Sequence, residues 1–380
     1  MSKPVVGVLR TSPESVLEDV GRVMRMAGYQ EAIPKDKDIS LKINISWHVY
    51  YPACSTTPWQ LEGVIQTLQS DGYDLSRVNA AQNRTVVVDT KVGEINNRLR
   101  PVVDKYGVKT IYLYEKPVRW VRYRPKREML VLDKVYPDGI YIPEMLQGES
   151  VIHLPTMKTH VFTTITGAMK NAFGGLLSER RHWTHAVIHE TLVDLLAIQK
   201  EIHSGIFAVT DGTIAGDGPG PRAMIPHIKN LLLAGADQVA IDAIQAKIMG
   251  FDPMKLDFIR LAHEAGLGVG NPSEIEVVGE DISGMNWGFQ GDKDTFASRG
   301  QKAIYHGPLK PLENLLLRTW MVPWSYAASR LYHDGFWYPC VGKKRVNRVL
   351  ESEWGKLFRS YPLKHVPKWQ KERKEEQKVD

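Results

Sequence analysis

Cysteine is nearly missing from this chain: 380 residues carry two, Cys54 and Cys340, far apart and in no CxxC pattern. That excludes a disulfide framework and a cysteine-ligated zinc or iron–sulfur centre, so any metal has to rest on histidine and carboxylate ligands. Long apolar runs are missing as well. No stretch approaches the roughly 18 to 20 apolar residues that a membrane-spanning helix needs. Pro4, Arg10 and Glu14 interrupt the N-terminus before the apolar core of a secretory signal is complete. The expected location is the cytoplasm. Several signatures are absent too: GxGxxG after the first strand, a GKS or GKT phosphate loop, the GxSxG elbow of serine hydrolases, and HExxH.

What is present describes a globular chain, 43% hydrophobic and 24% charged, long enough for one large or two ordinary domains. Its formal charge of +6 is unevenly placed: residues 301–380 hold 16 Lys and Arg against 8 Asp and Glu. The basic character therefore belongs to the tail, which argues against nucleic acid as a partner of the main body.

Strand-like and helix-like segments alternate from Val5 onward. Apolar runs at Val5–Leu9, Ile39–Ile45, Thr85–Val88, Lys109–Tyr114, Ser150–Leu154, Ile206–Thr210, Leu231–Leu233 and Ile275–Val278 are separated by helical patterns, among them Pro13 to Gly28, one opened by Thr57-Pro58, Thr184–Ile202 and one capped by Asp237. Such alternation predicts an α/β fold of three layers, a mainly parallel sheet with helices on both faces. Residues 116–143 break the rhythm and predict a β-rich insertion with a basic face, either a solvated hairpin or a flap. The expected organisation is an α/β body over 1–300, followed by a mostly helical or irregular extension over 301–380. Five of the ten tryptophans fall in that extension, at 320, 324, 337, 354 and 369. They suit burial against the body, or a peripheral contact through 307–380 with a membrane surface or a protein.

The densest chemistry lies in 150–185, SVIHLPTMKTHVFTTITGAMKNAFGGLLSERRHWTH. A buried strand ends at Pro155, and Lys158 and His160 then stand where the chain leaves the sheet. Ligands of open α/β sheets bind beyond the carboxyl ends of strands, and Lys42, Asn44, Asp89 and Asp211 also follow predicted strands. Lys158 and Lys170 suit anion fixation or, with a depressed pKa, proton transfer. Lys42, Asn44, Asn171 and Asp211 are the expected substrate-binding residues, and Lys158, His160 and Lys170 the catalytic ones. His182, His185 and His189 are spaced to share one side of a helix, and His160 with His185 is the preferred pair for a divalent metal. The Gly/Pro loop at 216–221 offers backbone N–H groups for a phosphate.

Several of these features together resemble the family called domain of unknown function 362: Lys42-Ile43-Asn44 after the second strand, Thr57-Pro58, Lys158-Thr159-His160, GAMKNAFGG from Gly167, the later His185, Asp211-Gly212, Gly218-Pro219, and DQVAIDA from Asp237. The likeness spans roughly residues 36–280. Many members carry a ferredoxin-like cysteine cluster, which this chain lacks, so no iron–sulfur cluster of its own is expected. A fainter similarity is to the N-terminal domain of the nickel-pincer lactate racemases, where a lysine and a later histidine hold the cofactor; Lys170 and His185 are comparably spaced. The expectation is an enzyme, an isomerase or oxidoreductase, acting on a small carboxylate-bearing anion by lysine and histidine acid–base chemistry, with a divalent metal as the cofactor option. The alternative is a non-catalytic scaffold docking through its C-terminal extension.

Overall fold

The computed structural model describes residues 3–85, 88–291, 293–305, 307, 308, 310–312, 327 and 330–363. Twelve strands are described: β1 (Val5–Arg10), β2 (Ile39–Ile43), β3 (Val78–Gln82), β4 (Lys109–Tyr112), β5 (Trp120–Tyr123), β6 (Ile140–Pro143), β7 (Ser150–Leu154), β8 (Thr156–His160), β9 (Thr164–Thr166), β10 (Gly205–Asp217), β11 (Ile225–Gly235) and β12 (Glu276–Gly279). The central sheet runs β12-β1-β11-β10-β7-β2-β3-β4. From β4 to β10 the neighbours are parallel. The β10, β11 and β1 neighbours are antiparallel, and β12 is parallel to β1. Every residue of β2 and β7 is buried, as expected of central parallel strands covered on both sides.

Helices at 188–202, 238–249 and 257–264 cover one face, where Leu192, Leu196, Ile241, Ile244 and Phe258 share a core. Helices at 16–26, 58–70 and 100–106 cover the other, with Val20, Val64, Ile65 and Val103 packed on Ile152 and Phe207. This is the three-layer α/β fold that the alternation predicts. Among the described residues no helix is long and apolar enough to cross a membrane.

Several elements differ from their expected form. The strand beside β2 is β3, whose VNAAQ is mostly small residues, whereas Thr85 and Val88 form only an isolated bridge. The predicted helix 184–202 is in two parts, a 3₁₀ helix at Glu179–Val187 and an α-helix at Ile188–Ile202. His182, His185 and His189 therefore do not line up on one α-helix. The insertion does contain an antiparallel pair, β5 with β6, joined by a segment holding a short helix at Leu132–Val135. Carboxylates of the helix 188–202 hold it down: Asp194 accepts from the N–H groups of Leu130, Val131 and Leu132 at 2.8–3.0 Å, and Glu201 accepts from Tyr123 Oη at 2.6 Å.

The C-terminal segment wraps onto the body. Trp337, Val346, Val349, Trp354 and Phe358 join the core that contains Trp47 and Trp59, and the Trp59 and Trp354 rings lie 5.1 Å apart. Trp354 Nε1 donates to Asn230 Oδ1 at 2.7 Å, which satisfies the one polar atom of a buried indole. Trp320, Trp324 and Trp369 lie outside the described residues.

Candidate functional site

Lys42 on β2, His153 on β7 and Ala208 on β10 are register partners, so they share one face of the sheet. At Pro155 the line of β7 breaks, and it resumes as β8, which pairs with β10 at Asp211 and Gly216. Thr56 Oγ1 donates to the Leu154 carbonyl and Gln60 Nε2 to those of Pro155 and Val209, at 2.7–2.8 Å, so the break is braced from the opposite layer. After His160 the chain turns back as β9, with Lys158 opposite Thr166. Gly167 then opens the short helix Ala168–Asn171. The two motif lysines, 158 and 170, thus come from one tight excursion beyond the strand ends.

A buried carboxylate fixes that excursion. Asp242, fully buried on the helix 238–249, accepts from the N–H groups of Ala168 at 2.6 Å and Met169 at 3.0 Å. A side chain at position 167 would overlap this carboxylate, so only glycine fits there. Burial raises the Asp242 pKa to about 7, opposed by the two N–H groups.

Three lysines and an arginine gather around this turn. Lys158 is 1% exposed, and its Nζ donates to Thr156 Oγ1 at 2.6 Å and to the Cys54 carbonyl at 3.0 Å. Lys42 is buried and donates to the Ile43 carbonyl at 2.5 Å. A Cβ on Gly175 would stand 3.3 Å from Lys42 Cε, so the Gly-Gly pair leaves just enough room for this side chain. Lys170 is partly exposed; its Nζ lies 5.4 Å from the centre of the Phe173 ring, and the Arg181 guanidinium stands 6.0 Å from the same ring. Burial lowers the Lys42 pKa to about 7, helped by Arg181. Burial likewise lowers Lys158 to about 8, against an opposing pull from the Cys54 thiol. Lys170 drops to about 7 through burial and then repulsion by Lys158 and Arg181. Among the described residues no carboxylate contributes to any of these three shifts.

The two motif histidines stand beside the lysines as neutral rings. Burial first, then Lys170, His185, Lys158 and His189, hold His160 well below the usual imidazole range; burial and Lys170 bring His185 to about 3. Their tautomers follow from their partners. His160 Nδ1 accepts from the Phe162 N–H at 3.2 Å, which leaves the ring hydrogen on Nε2. His185 Nδ1 faces the His182 carbonyl at 3.1 Å and must donate to it, which leaves a lone pair on Nε2. Both rings pack on Phe162, at 5.9 and 5.4 Å between centres. His160 is thus arranged as a donor, and binding a metal through its Nε2 would require the tautomer that its Phe162 contact opposes. Among the described residues no three His, Cys, Asp or Glu side chains assemble into a group able to hold a metal ion.

Lys42, Lys158, His160, Lys170 and His185 are linked in one neighbourhood, each shifting or shifted by another member or by Arg181. Asn44 borders it: its Nδ2 donates at 3.3 Å to the same Cys54 carbonyl that receives Lys158. Asn171 is a brace, its Nδ2 donating to the Lys42 carbonyl at 2.8 Å with His153 Nδ1 at 3.3 Å. Asp211 is elsewhere. β10 continues past it to Asp217, so Asp211 is not at a strand end, and three residues beyond Ala208 it faces the opposite layer. There it accepts from Thr57 Oγ1 at 2.5 Å, Trp59 Nε1 at 3.2 Å and the Thr213 N–H at 2.7 Å. The Gly/Pro loop is tied to the motif from its other side, since Thr159 Oγ1 donates to the Gly218 carbonyl at 2.6 Å. Sequence reasoning missed Arg181, whose only local signal is the Arg180-Arg181 pair; it is 7% exposed, with Nη2 donating to the Arg84 carbonyl at 2.8 Å.

Comparison with known proteins adds two findings. The profile of the family described as Domain of unknown function (DUF362) matches residues 39–247, more than half of the chain. The curated Thylakoid-associated protein sll1697 of Synechocystis sp. is 27% identical over 137 residues, 35% of this chain and 42% of that protein. The chain therefore spans under half the length of the curated relative it matches. A likeness to the lactate racemases is not shown by these matches.

Proposed function

The chain belongs to the DUF362 family, and from that premise we propose that its shared segment builds an enzyme site for a small carboxylate-bearing anion, worked by lysine acid–base chemistry. One observation carries the reading: Lys42 near the end of β2, Lys158 on β8 and Lys170 on the short helix after β9 come together near Arg181, and among the described residues no carboxylate is one of the groups that shift them. Lys42 and Lys158 are buried and Lys170 is half-buried; desolvated cations without a described counter-charge are costly, and an anion supplies the missing partner. Lys158, Lys42 and Arg181 orient that anion. Lys170, with a pKa of about 7, exchanges a proton with the bound molecule near neutral pH. His160 offers an Nε2 hydrogen and His185 an Nε2 lone pair. A metal on these two histidines is not part of the proposal, because the His160 tautomer opposes it.

The test is a panel of oxalate, malonate, lactate and phosphate examined by calorimetry, followed by turnover assays on the acids that bind. Lys170→Ala should abolish turnover and leave the melting temperature nearly unchanged, because it removes an unpaired ammonium. Lys158→Met should weaken binding at least tenfold. If both variants bind every anion as the parent chain does, the site is wrong. The location we propose is the cytoplasm. Protease treatment of intact cells and membrane vesicles tests it: a chain shielded on the far side of a membrane would overturn the placement, whereas surface association, such as the thylakoid association in the relative's name, would not.

A further inference from the structure

The segment Leu331–Gly342 is a π-helix, closed by an i to i+5 bond from the Lys343 N–H to the Tyr338 carbonyl. Such a helix turns in 4 to 5 residues, and its burial follows that period. Asp334, Tyr338 and Gly342 mark the inner side: Asp334 Oδ1 accepts from Trp47 Nε1 at 2.7 Å, and Tyr338 Oη donates to the Tyr50 carbonyl at 3.2 Å. Next to them Trp337 is 7% exposed, with its ring 5.5 Å from Tyr51. The outer side reads Leu331, Phe336, Pro339 and Cys340, all exposed, with Leu331 at 73% and Phe336 at 61%. The following helix, Lys343–Leu350, continues this side with exposed Lys343, Lys344 and Arg348, and no acid lies between 343 and 350.

We propose that this outer stripe docks the chain on an anionic lipid surface, with Leu331 and Phe336 entering the acyl boundary and Lys343, Lys344 and Arg348 meeting the headgroups. Two features favour lipid over a protein partner. Two large apolar side chains present far less surface than the roughly 800 Å² per partner of a stable protein interface. They suit shallow insertion at a membrane interface, where basic residues on the same side add attraction to anionic lipid. The inner contacts to Trp47, Tyr50 and Tyr51 fix the helix against the body, so the stripe cannot turn inward to hide. The surface is independent of the lysine site and of its proposed chemistry.

The test uses the full chain and vesicles of phosphatidylcholine with or without phosphatidylglycerol, read by co-sedimentation. The parent chain should partition onto the anionic vesicles and be released by high salt. Lys343→Ala with Lys344→Ala should weaken partition by about 25-fold, about fivefold for each lysine near a charged surface. Leu331→Ser with Phe336→Ser should abolish it, with unchanged circular dichroism and melting temperature because both side chains are exposed. A parent chain that stays in the supernatant with both vesicle types overturns the proposal, and so does equal partition of parent and Leu331→Ser with Phe336→Ser.

Discussion

If an anion supplies the charge that the lysines lack, its binding must take up protons. In the free protein Lys42 and Lys170 titrate near 7 and Lys158 near 8. At about pH 7.5 the first two are then roughly a quarter protonated and Lys158 roughly three quarters. A bound dianion favours the charged form of each, so full engagement draws in roughly one and a half to two protons, and engagement of Lys170 alone roughly three quarters of one. The assay is titration calorimetry with oxalate or malonate, which keep their charge above neutral pH, in two buffers of different ionisation enthalpy. The difference in heat counts the protons, and affinity should fall between pH 7.5 and 8.5 by about eightfold if Lys170 alone engages and by roughly 200-fold if all three lysines do. Stability of the free protein should move the other way. Each lysine has a folded pKa below its unfolded value, so the unfolded chain binds more protons between about pH 7 and 10, and stability rises with pH there by up to about 1.4 kcal/mol per unit for each lysine. Asp242, raised to about 7, acts in the adjacent window: the folded state holds the extra proton, so its contribution falls from about pH 4 to 7. Equal heats in the two buffers with a pH-independent affinity would refute the reasoning.

Two substitutions probe the supports rather than the site. Gly167→Ala places a methyl group against the Asp242 carboxylate and should either cost about 2–4 kcal/mol in a denaturant titration or displace the Ala168–Asn171 turn, lowering anion affinity with it. Trp354→Ala removes a side chain 2% exposed and stacked near Trp59; a loss of about 3–5 kcal/mol in the same titration would show that the C-terminal segment is part of the folding unit, and a loss under about 1 kcal/mol would show that it is not.

Much of this arrangement was legible because it is written in local chemistry. Thr57-Pro58 does open a helix, with Thr57 Oγ1 accepting from the Gln60 N–H at 3.3 Å, and Asp237 does cap one, accepting from Val239 and Ala240. Lys158 and His160 do follow a buried strand that a proline ends, but they stay in the sheet, on β8 beside β10, rather than in a loop. What failed depends on facts that no short window carries. VNAAQ has one β-branched residue and no aromatic, so β3 forms because two neighbours need a partner, not because its residues prefer strands. β10 runs on through Gly212 and Gly216 with a register shift near residue 213, and its glycines read as a loop. That extra length keeps Asp211 inside the strand, and its odd offset from Ala208 turns it toward the opposite layer. Arg181 was missed because a buried guanidinium looks, in sequence, like a solvated one.

The residues of the family pattern divide by what they touch. Thr57 and Asp211, far apart in sequence, form one joint between a helix and the sheet. Thr159 and Gly218 form a second, fastening the Gly/Pro loop to the strand that carries Lys158. Gly167 and Asp242 form a third, setting the turn that carries Lys170. Each pair joins two motifs that look independent on paper, and the second and third hold the backbone immediately around Lys158 and Lys170. The carboxylates inside the joints are satisfied by protein partners, whereas among the described residues Lys42 has one backbone carbonyl and Lys170 an aromatic face. With the carboxylates of the joints paired and these ammonium groups left with few described partners, an anion from outside is what the proposed site would need, and the second and third joints fix the backbone around Lys158 and Lys170 against the repulsion among the cations.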